Sequence, residues 1–309
     1  MHRGRGTALT DDLNNPDDVI AIFDAAADAN LDAKCRTGSI DEISAPGHLI
    51  ATGDIHDNPI HFAKLVKLAG LTPEHEEHEH KHLTLHELIH SDRLINGMDF
   101  SYRTLARVAK LKADYPEHVH TLIANHEMAQ MLKSGILKDG VKCVEVFQDA
   151  LIYIFGEDAS RVEKSIDRFF RSMPLALRCH CTKPSGGRYD VLCAHSLPSP
   201  GMMARFDPSV ISRPLTDDDY QPRTGSAYAM VWGRGYDAEL LEDLVERWGV
   251  NWFVLGHEHA EFGSTFVPPN AVILNSDHAN GVYLPIDLSA VYGPEFAMES
   301  VRPIAELPE

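Results

Sequence analysis

Five short motifs, each at the end of an apolar run, carry side chains that can bind metal ions. They offer Asp54 and His56, then Glu87, His90 and Asp92, then Asn125 and His126, then His195, and finally His257 and His259. A single histidine after a strand is usually a surface or hydrogen-bonded residue. Five such strand ends in one chain instead indicate a shared site.

The ligand set combines carboxylates, imidazoles and an amide oxygen, and it contains no cysteine. It therefore suits borderline to hard divalent ions (manganese, iron, zinc or magnesium) rather than a thiolate site. Because there are more ligands than one ion needs, we expect two ions. Paired metal ions clamp an in-line displacement at phosphorus and lower the pKa of a bridging water.

The elements that must position these motifs alternate between strands and helices in the first half of the chain. Apolar patterns predict strands over residues 47–52, 82–89 and 117–124, and helices over 16–30, 59–70 and 99–116. Helices follow over 145–156 and 158–174, and strands over 189–196, 250–259, 270–280 and 281–288. This order predicts an α/β fold, in which the loops at strand ends gather over a rigid sheet and hold ligands.

The net charge and the cysteine content of the chain disfavour some classes of partner and location. The formal net charge of −18 disfavours nucleic-acid and anionic-membrane partners, although metal ions could still neutralise a pocket for a small anion. The five cysteines have no framework-like spacing and the opening residues carry no signal-like apolar stretch. We therefore expect a cytoplasmic protein, with a helical extension at residues 1–44, one catalytic domain at 45–295 and a tail at 296–309.

The order GD-x-H, a carboxylate-bearing strand, NHE, His and GH-x-H resembles the calcineurin-like metallophosphoesterases over roughly residues 45–285. The resemblance is closer to the phosphoprotein phosphatase branch, which includes Ser/Thr protein phosphatases and bacterial diadenosine-tetraphosphate hydrolases. "HVHTLIANHEM" is similar to that branch's third motif, with alanine for its usual glycine, and "AHSLPSPGM" is similar to its HGGLSP passage, with Ser196 for the first glycine. The resemblance implies a two-sheet sandwich flanked by helices, in four αββα layers. It also implies attack by metal-bound hydroxide on a phosphate ester, without a covalent intermediate.

The resemblance also implies roles for individual residues. Asp54, His56 and His259 would bind the first metal ion, and Asn125, His195 and His257 the second, with manganese favoured. His126 would be the general acid, oriented by Asp92, and Arg93 would grip the phosphate. Arg234 lies where the family often has a second phosphate-binding arginine, although it could equally be a turn residue.

The second motif departs from the family pattern. The family has GD-x-x-DR, in which the first aspartate bridges the metal ions, but Ile89 stands three residues before Asp92. Either Glu87 is the bridge, or His90 takes a ligand role. A carboxylate bridges with two oxygens, whereas a neutral imidazole offers one lone pair, so Glu87 is the favoured bridge.

These inferences predict a dinuclear metal-dependent phosphomonoesterase of the Ser/Thr protein phosphatase type, acting on a phosphorylated protein or small molecule. A dinucleotide polyphosphate hydrolase or a phosphodiesterase would share the same ligands. A degenerate, non-catalytic metal-binding scaffold is the alternative from another class, supported by the altered second motif. The alternating Glu and His residues at 74–82 predict a solvated surface segment, with metal loading as the alternative.

Overall fold

The structure of the chain, a computed structural model, describes residues 12–76, 80–138, 140–182 and 187–308. Predictions for residues 1–11, for the centre of the His-rich segment at 77–79 and for residue 309 of the tail lie outside the described residues. Among the described residues, every helix is too short or too polar to cross a lipid bilayer.

In chain order the strands of the described residues are β1 (Arg36–Thr37), β2 (Ile40–Ser44), β3 (His48–Thr52), β4 (His82–Leu85), β5 (Val119–Thr121), β6 (Leu137–Lys138), β7 (Val141–Lys142), β8 (Ala176–Thr182), β9 (Arg188–Ala194), β10 (Trp252–Leu255), β11 (Ser264–Val267), β12 (Ala271–Leu274), β13 (Val282–Asp287) and β14 (Arg302–Pro303). The α-helices are α1 (Pro16–Asp32), α2 (Pro59–Leu68), α3 (Tyr102–Asp114), α4 (Asn125–Leu132), α5 (Cys143–Phe155), α6 (Ala159–Ser172), α7 (Ser226–Trp232), α8 (Ala238–Trp248) and α9 (Pro294–Ser300).

Two sheets form the centre of the molecule. The larger has the order β1-β2-β8-β9-β10-β12-β11, and the smaller has the order β14-β13-β3-β4-β5. In the smaller sheet β3, β4 and β5 are parallel, and in the larger sheet β9, β10 and β12 are parallel. Since loops after parallel strands leave from one edge, each sheet presents three loops at its carboxyl edge.

The apolar core lies between the sheets and under the helices. Alternating residues such as Leu177, Cys179 and Cys181 of β8 pack between the sheets with Leu49 of β3 and Trp252 of β10. The helices cover the sheets with a second cluster of buried residues, and α1 packs on α3 and α6. The predicted α/β architecture, with two sheets flanked by helices, is confirmed.

The described part of the predicted helical extension at residues 1–44 contains strands as well as a helix. Residues 16–32 do form α1, and Asn15 caps it by accepting hydrogen bonds from the N–H groups of Asp17 and Asp18. However, β2 pairs in parallel with β8 and belongs to the larger sheet. At the other end, β14 of the predicted tail pairs with β13.

A buried carboxylate, that of Asp41, links the two sheets at one side by contacting an arginine of its own sheet and a histidine of the other. Asp41 of β2 is fully buried, and its carboxylate lies 2.8 Å from Nε of Arg36 and 2.8 Å from Nδ1 of His120 in β5. Burial alone would raise the pKa of Asp41, but hydrogen bonding from His120 and the charge of Arg36 hold it well below the ordinary value. This carboxylate therefore stabilises the contact between sheets only while it stays charged.

We expect Asp41→Asn to lower the free energy of unfolding by about 3 kcal/mol, because a buried charge loses its partner. Asp243→Asn is the control, since Asp243 forms an exposed pair with Arg247 in α8, and we expect a change below about 0.5 kcal/mol. Urea unfolding at pH 7 measures both. Equal values for the two variants would contradict the structural role of Asp41.

Candidate metal centre

Strand ends from both sheets meet at one cleft. The loops after β3, β4 and β5 bring Asp54 with His56, Glu87, and Asn125 with His126, while the loops after β9 and β10 bring His195 and His257. The sheets are joined here because Asp54 forms isolated bridges with His86 on one side and Asn275 on the other. The cleft has a volume of about 720 Å³, and most of these side chains line it.

Glu87 is the central residue of this cluster. Its Oε1 lies 2.8 Å from Nε2 of His56 and 3.6 Å from Nε2 of His126. Its other oxygen, Oε2, lies 2.9 Å from Nε2 of His195. The carboxylate therefore faces two separate groups of potential ligands, one with each oxygen.

In the second group, three atoms with lone pairs lie close to a single nitrogen, Nε2 of His195. Nε2 of His195 lies 2.7 Å from Oδ1 of Asn125 and 3.1 Å from Nδ1 of His257, in addition to Glu87. A single N–H of His195 can satisfy only one of these acceptors, and Glu87 Oε2 is buried without a hydrogen bond of acceptable geometry. A divalent cation would bind the lone pairs of all these atoms at once. The residues therefore fit the predicted metal chemistry.

Asp54 is held beside this cluster by close packing. Both of its carboxylate oxygens accept from the backbone N–H of His257 at 3.0 Å, and Oδ1 lies 3.4 Å from Nδ1 of His86 and of His195. Gly256 makes the approach possible, since a Cβ there would lie 2.4 Å from Asp54 Oδ1 and 2.5 Å from His86 Cε1. The glycine before the histidine in "GHEH" is thus needed for space.

The carboxylates control the ionisation of the histidines nearest to them. Burial opposes a charge on His195, yet Glu87 and Asp54 raise its pKa to about 10, and Glu87 likewise raises the pKa of His56 to about 9. Burial lowers the pKa of His126 and of His257 to about 3. Positive charge close to Glu87 therefore stabilises the cluster. Metal cations would take the place of the protons on His56 and His195.

Comparison with known proteins agrees with this geometry. A model of the calcineurin-like phosphoesterase family matches residues 47–261, more than half of the chain. The chain belongs to the calcineurin-like phosphoesterases. The family predicted from the order of the motifs is thereby confirmed, and none of the curated proteins matches the chain by sequence.

Solved structures similar to this phosphoesterase include two phosphatases. A protein serine/threonine phosphatase from Saccharomyces cerevisiae, with similarity to human phosphatase PP5, has a TM-score of 0.64 at 17% identity, covering 88% of this chain and 83% of its own. A cold-active protein-tyrosine phosphatase of a psychrophilic Shewanella species has a TM-score of 0.54 at 13% identity, covering 81% and 77%. At these identities the likeness shows the fold.

Three predicted site residues of the phosphoesterase lie away from its ligand cluster. Asp92 is 63% exposed and pairs with Nζ of Lys138 at 2.9 Å, so the predicted contact with His126 is replaced. Arg93 is 56% exposed and donates to the backbone carbonyl of Asp57. His259 is exposed at the rim of the cleft, with its ring centroid 6.0 Å from that of His278. Its role as a ligand stays a prediction.

Sequence reasoning missed two residues beside the cluster. His86 is buried between Asp54 and His195, and its Nε2 donates to the carbonyl oxygen of Thr52 at 2.9 Å. Lys138 reaches the cleft from the hairpin β6–β7. His86 directly precedes Glu87, so the "HE" pair was a usable signal, whereas nothing in the local sequence places Lys138 here.

We expect Glu87→Gln to abolish binding of one of two Mn²⁺ ions and to weaken the other at least about tenfold, because an amide has one acceptor oxygen and no charge. The control is Glu163→Gln, which alters a pair with Lys133 on another surface and should leave two ions per chain. Calorimetric titration of the metal-stripped proteins gives both stoichiometries. Unchanged binding in Glu87→Gln would exclude a bridging role.

We also expect Gly256→Ala to reduce metal content by at least half and to destabilise the fold by about 1–3 kcal/mol, since the added methyl group displaces Asp54 and His86. Gly201→Ala is the matched control, because a Cβ there would meet no heavy atom of the described residues within 4 Å, apart from its neighbours along the chain. Elemental analysis and thermal unfolding report the two effects. A metal content equal to that of the control would contradict the packing argument.

Proposed function

We propose that this chain is a dinuclear metal-dependent phosphomonoesterase of the Ser/Thr protein phosphatase type. The observation that carries the proposal is the position of Glu87, whose two oxygens face the group of His56 and the group of Asn125, His195 and His257. Asp54 would complete the first group. Two divalent ions, manganese being favoured by the mixed oxygen and nitrogen ligands, would neutralise phosphate charge and lower the pKa of water.

The residues of the chain would bind the ester and supply a proton. Lys138 and Arg234 line the cleft, and each would attract the phosphate, with Arg234 held by its hydrogen bond to the carbonyl of His257 at 2.9 Å. His126 borders the cleft and its Nε2 faces the site, 3.6 Å from Glu87. The acid is the imidazolium form of His126, which the negative charge of a bound phosphate ester would favour. Its Nε2 proton would pass to the ester oxygen as the bond between that oxygen and phosphorus breaks, while water supplies the new oxygen.

Glu127 would support the site without reacting. It is buried, and its Oε1 accepts from the backbone N–H groups of Leu88 at 2.7 Å and Ile89 at 3.3 Å. It thereby fixes the loop that carries Glu87 onto α4, which carries Asn125 and His126. The first three residues of α4 would thus have three roles: Asn125 as a metal ligand, His126 as the acid, and Glu127 as the residue that fixes the loop.

The choice of substrate class rests on similarity. The fold is more similar to the yeast serine/threonine phosphatase, with a TM-score of 0.64, than to the tyrosine phosphatase, with 0.54. The motif after β9 also resembles the protein phosphatase branch. A cytoplasmic location stays a prediction from the cysteine pattern.

We expect the metal-stripped protein to hydrolyse p-nitrophenyl phosphate and phenyl phosphate after Mn²⁺ is added. His126→Ala should lower the rate on phenyl phosphate at least about tenfold, because a positioned acid contributes roughly two to four decades when the leaving group needs a proton. His180→Ala, in β8 beside Asp190, is the control and should keep the wild-type rate. Phosphoserine peptides should be cleaved as well.

Other results would change the assignment. Faster hydrolysis of bis-p-nitrophenyl phosphate or of a dinucleotide polyphosphate would move it to a phosphodiesterase or a polyphosphate hydrolase. The absence of any rate above buffer, with two ions bound, would leave a metal-binding scaffold.

A further inference from the structure

A second buried histidine lies directly behind His126. Nδ1 of His90 is 2.8 Å from Nδ1 of His126, and their ring centroids are 4.9 Å apart. His90 is almost fully buried, at 1% exposure. Two ring nitrogens at this distance share one hydrogen, so one ring donates and the other accepts.

The direction of that hydrogen bond follows from the third member of the chain. Nε2 of His90 lies 3.1 Å from Oε1 of Gln130, an amide oxygen that can only accept. His90 therefore carries its hydrogen on Nε2 and presents a lone pair at Nδ1. His126 must then carry a hydrogen on Nδ1, which leaves its Nε2 directed at the cleft.

The backbone around His90 is built to hold this orientation. Its N–H donates to Oγ of Ser101 at 3.2 Å, and its φ of 64° lies in the left-handed region, which histidine and asparagine tolerate better than most residues. Its ring packs edge-on against Phe147 of α5, with centroids 6.0 Å apart. The acceptor at Nδ1 is thus fixed by contacts on several sides.

We propose that His90 is the positioning residue of the general acid, orienting His126 through the hydrogen bond between their Nδ1 atoms. His90, held by Gln130, takes the place that the sequence pattern suggests for Asp92. The proposal rests on the proposed function, since an oriented acid matters only to ester cleavage. The acid itself stays His126, and His90 acts through it.

The test compares two substitutions at one atom position. His90→Phe places a carbon where Nδ1 stood and keeps an aromatic ring against Phe147, so it removes the acceptor. His90→Asn places Oδ1 at the same position, keeps an acceptor and tolerates the left-handed backbone. Thermal unfolding of both variants identifies any loss that comes from misfolding.

Leaving groups separate positioning of the acid from a general structural role. Phenyl phosphate releases a phenol with a pKa of about 10, which needs a proton, whereas p-nitrophenyl phosphate releases a far more acidic phenol. With Mn²⁺ bound, we expect His90→Phe to lower kcat about 100-fold on phenyl phosphate and less than about fivefold on p-nitrophenyl phosphate. His90→Asn should stay within about fivefold of the wild type on both. An equal fall on the two esters in His90→Phe would overturn the proposal.

A measurement without turnover tests the same hydrogen bond. In ¹⁵N NMR spectra of the protein loaded with diamagnetic Zn²⁺ or Mg²⁺, we expect the neutral His90 ring to carry its hydrogen on Nε2 and His126 to carry one on Nδ1. In His90→Phe, His126 should lose its preference for carrying the hydrogen on Nδ1. A wild-type His126 lacking a hydrogen on Nδ1 would overturn the pairing. If the wild type hydrolysed neither ester, the proposed function would fail while these spectra still decided the pairing.

Discussion

A carboxylate that stays charged in a protein interior must be matched by positive charge or by hydrogen-bond donors, and Glu87 sits where both sheets direct their loops. Its side chain is nearly inaccessible, and its closest partners are ring nitrogens of His56 from the smaller sheet and His195 from the larger. Desolvating such a group without compensation would cost several kcal/mol. Among the described residues the neighbours of Glu87 are mostly histidines, which can give up their protons to a cation, so the cluster is suited to exchange protons for metal ions.

This constraint explains the unusual backbone around the site. His56, Glu87, His90 and His257 all have φ between 40° and 68°, a region that side chains with a Cβ seldom adopt. Strain of this kind persists only where surrounding contacts fix it, and it concentrates at functional sites. Here the hydrogen bonds from the Leu88 and Ile89 backbone to Glu127 supply such contacts for the loop after β4.

The sequence was informative about the site to the extent that ligands follow strand ends directly. Asp54, Asn125, His195 and His257 come one to four residues after strands whose apolar runs are clear, so their convergence could be predicted from the parallel order. The loop after β4 was harder, because β4 ends at Leu85 while the apolar run continues to Ile89. Residues 88 and 89 are buried under Glu127 rather than in the strand, and a pattern of apolar residues cannot distinguish these two environments.

The same loop decides which residue stands behind His126. In the family pattern GD-x-x-DR, three positions separate the bridging aspartate from the one that orients the acid. Counting three positions from Glu87 gives His90, whereas matching the letters "DR" gives Asp92, two residues too far. In the structure the residue at the matching spacing, His90, contacts His126. Asp92, which matches by residue type, pairs with Lys138 instead.

The two-residue offset between His90 and Asp92 also changes where the positive charge of the motif lies. Ser91, rather than an arginine, follows His90, and the nearby Arg93 binds the backbone of Asp57. Under the proposed function, the charge opposite a phosphate would come from other elements, from Arg234 and from Lys138 of the hairpin β6–β7, which both line the cleft. A lysine is a compact point charge without the planar fork of arginine, so it imposes less geometry on the phosphate oxygens. With a lysine in this place, the orientation of the proposed ester would depend more on the metal ligands and on His126.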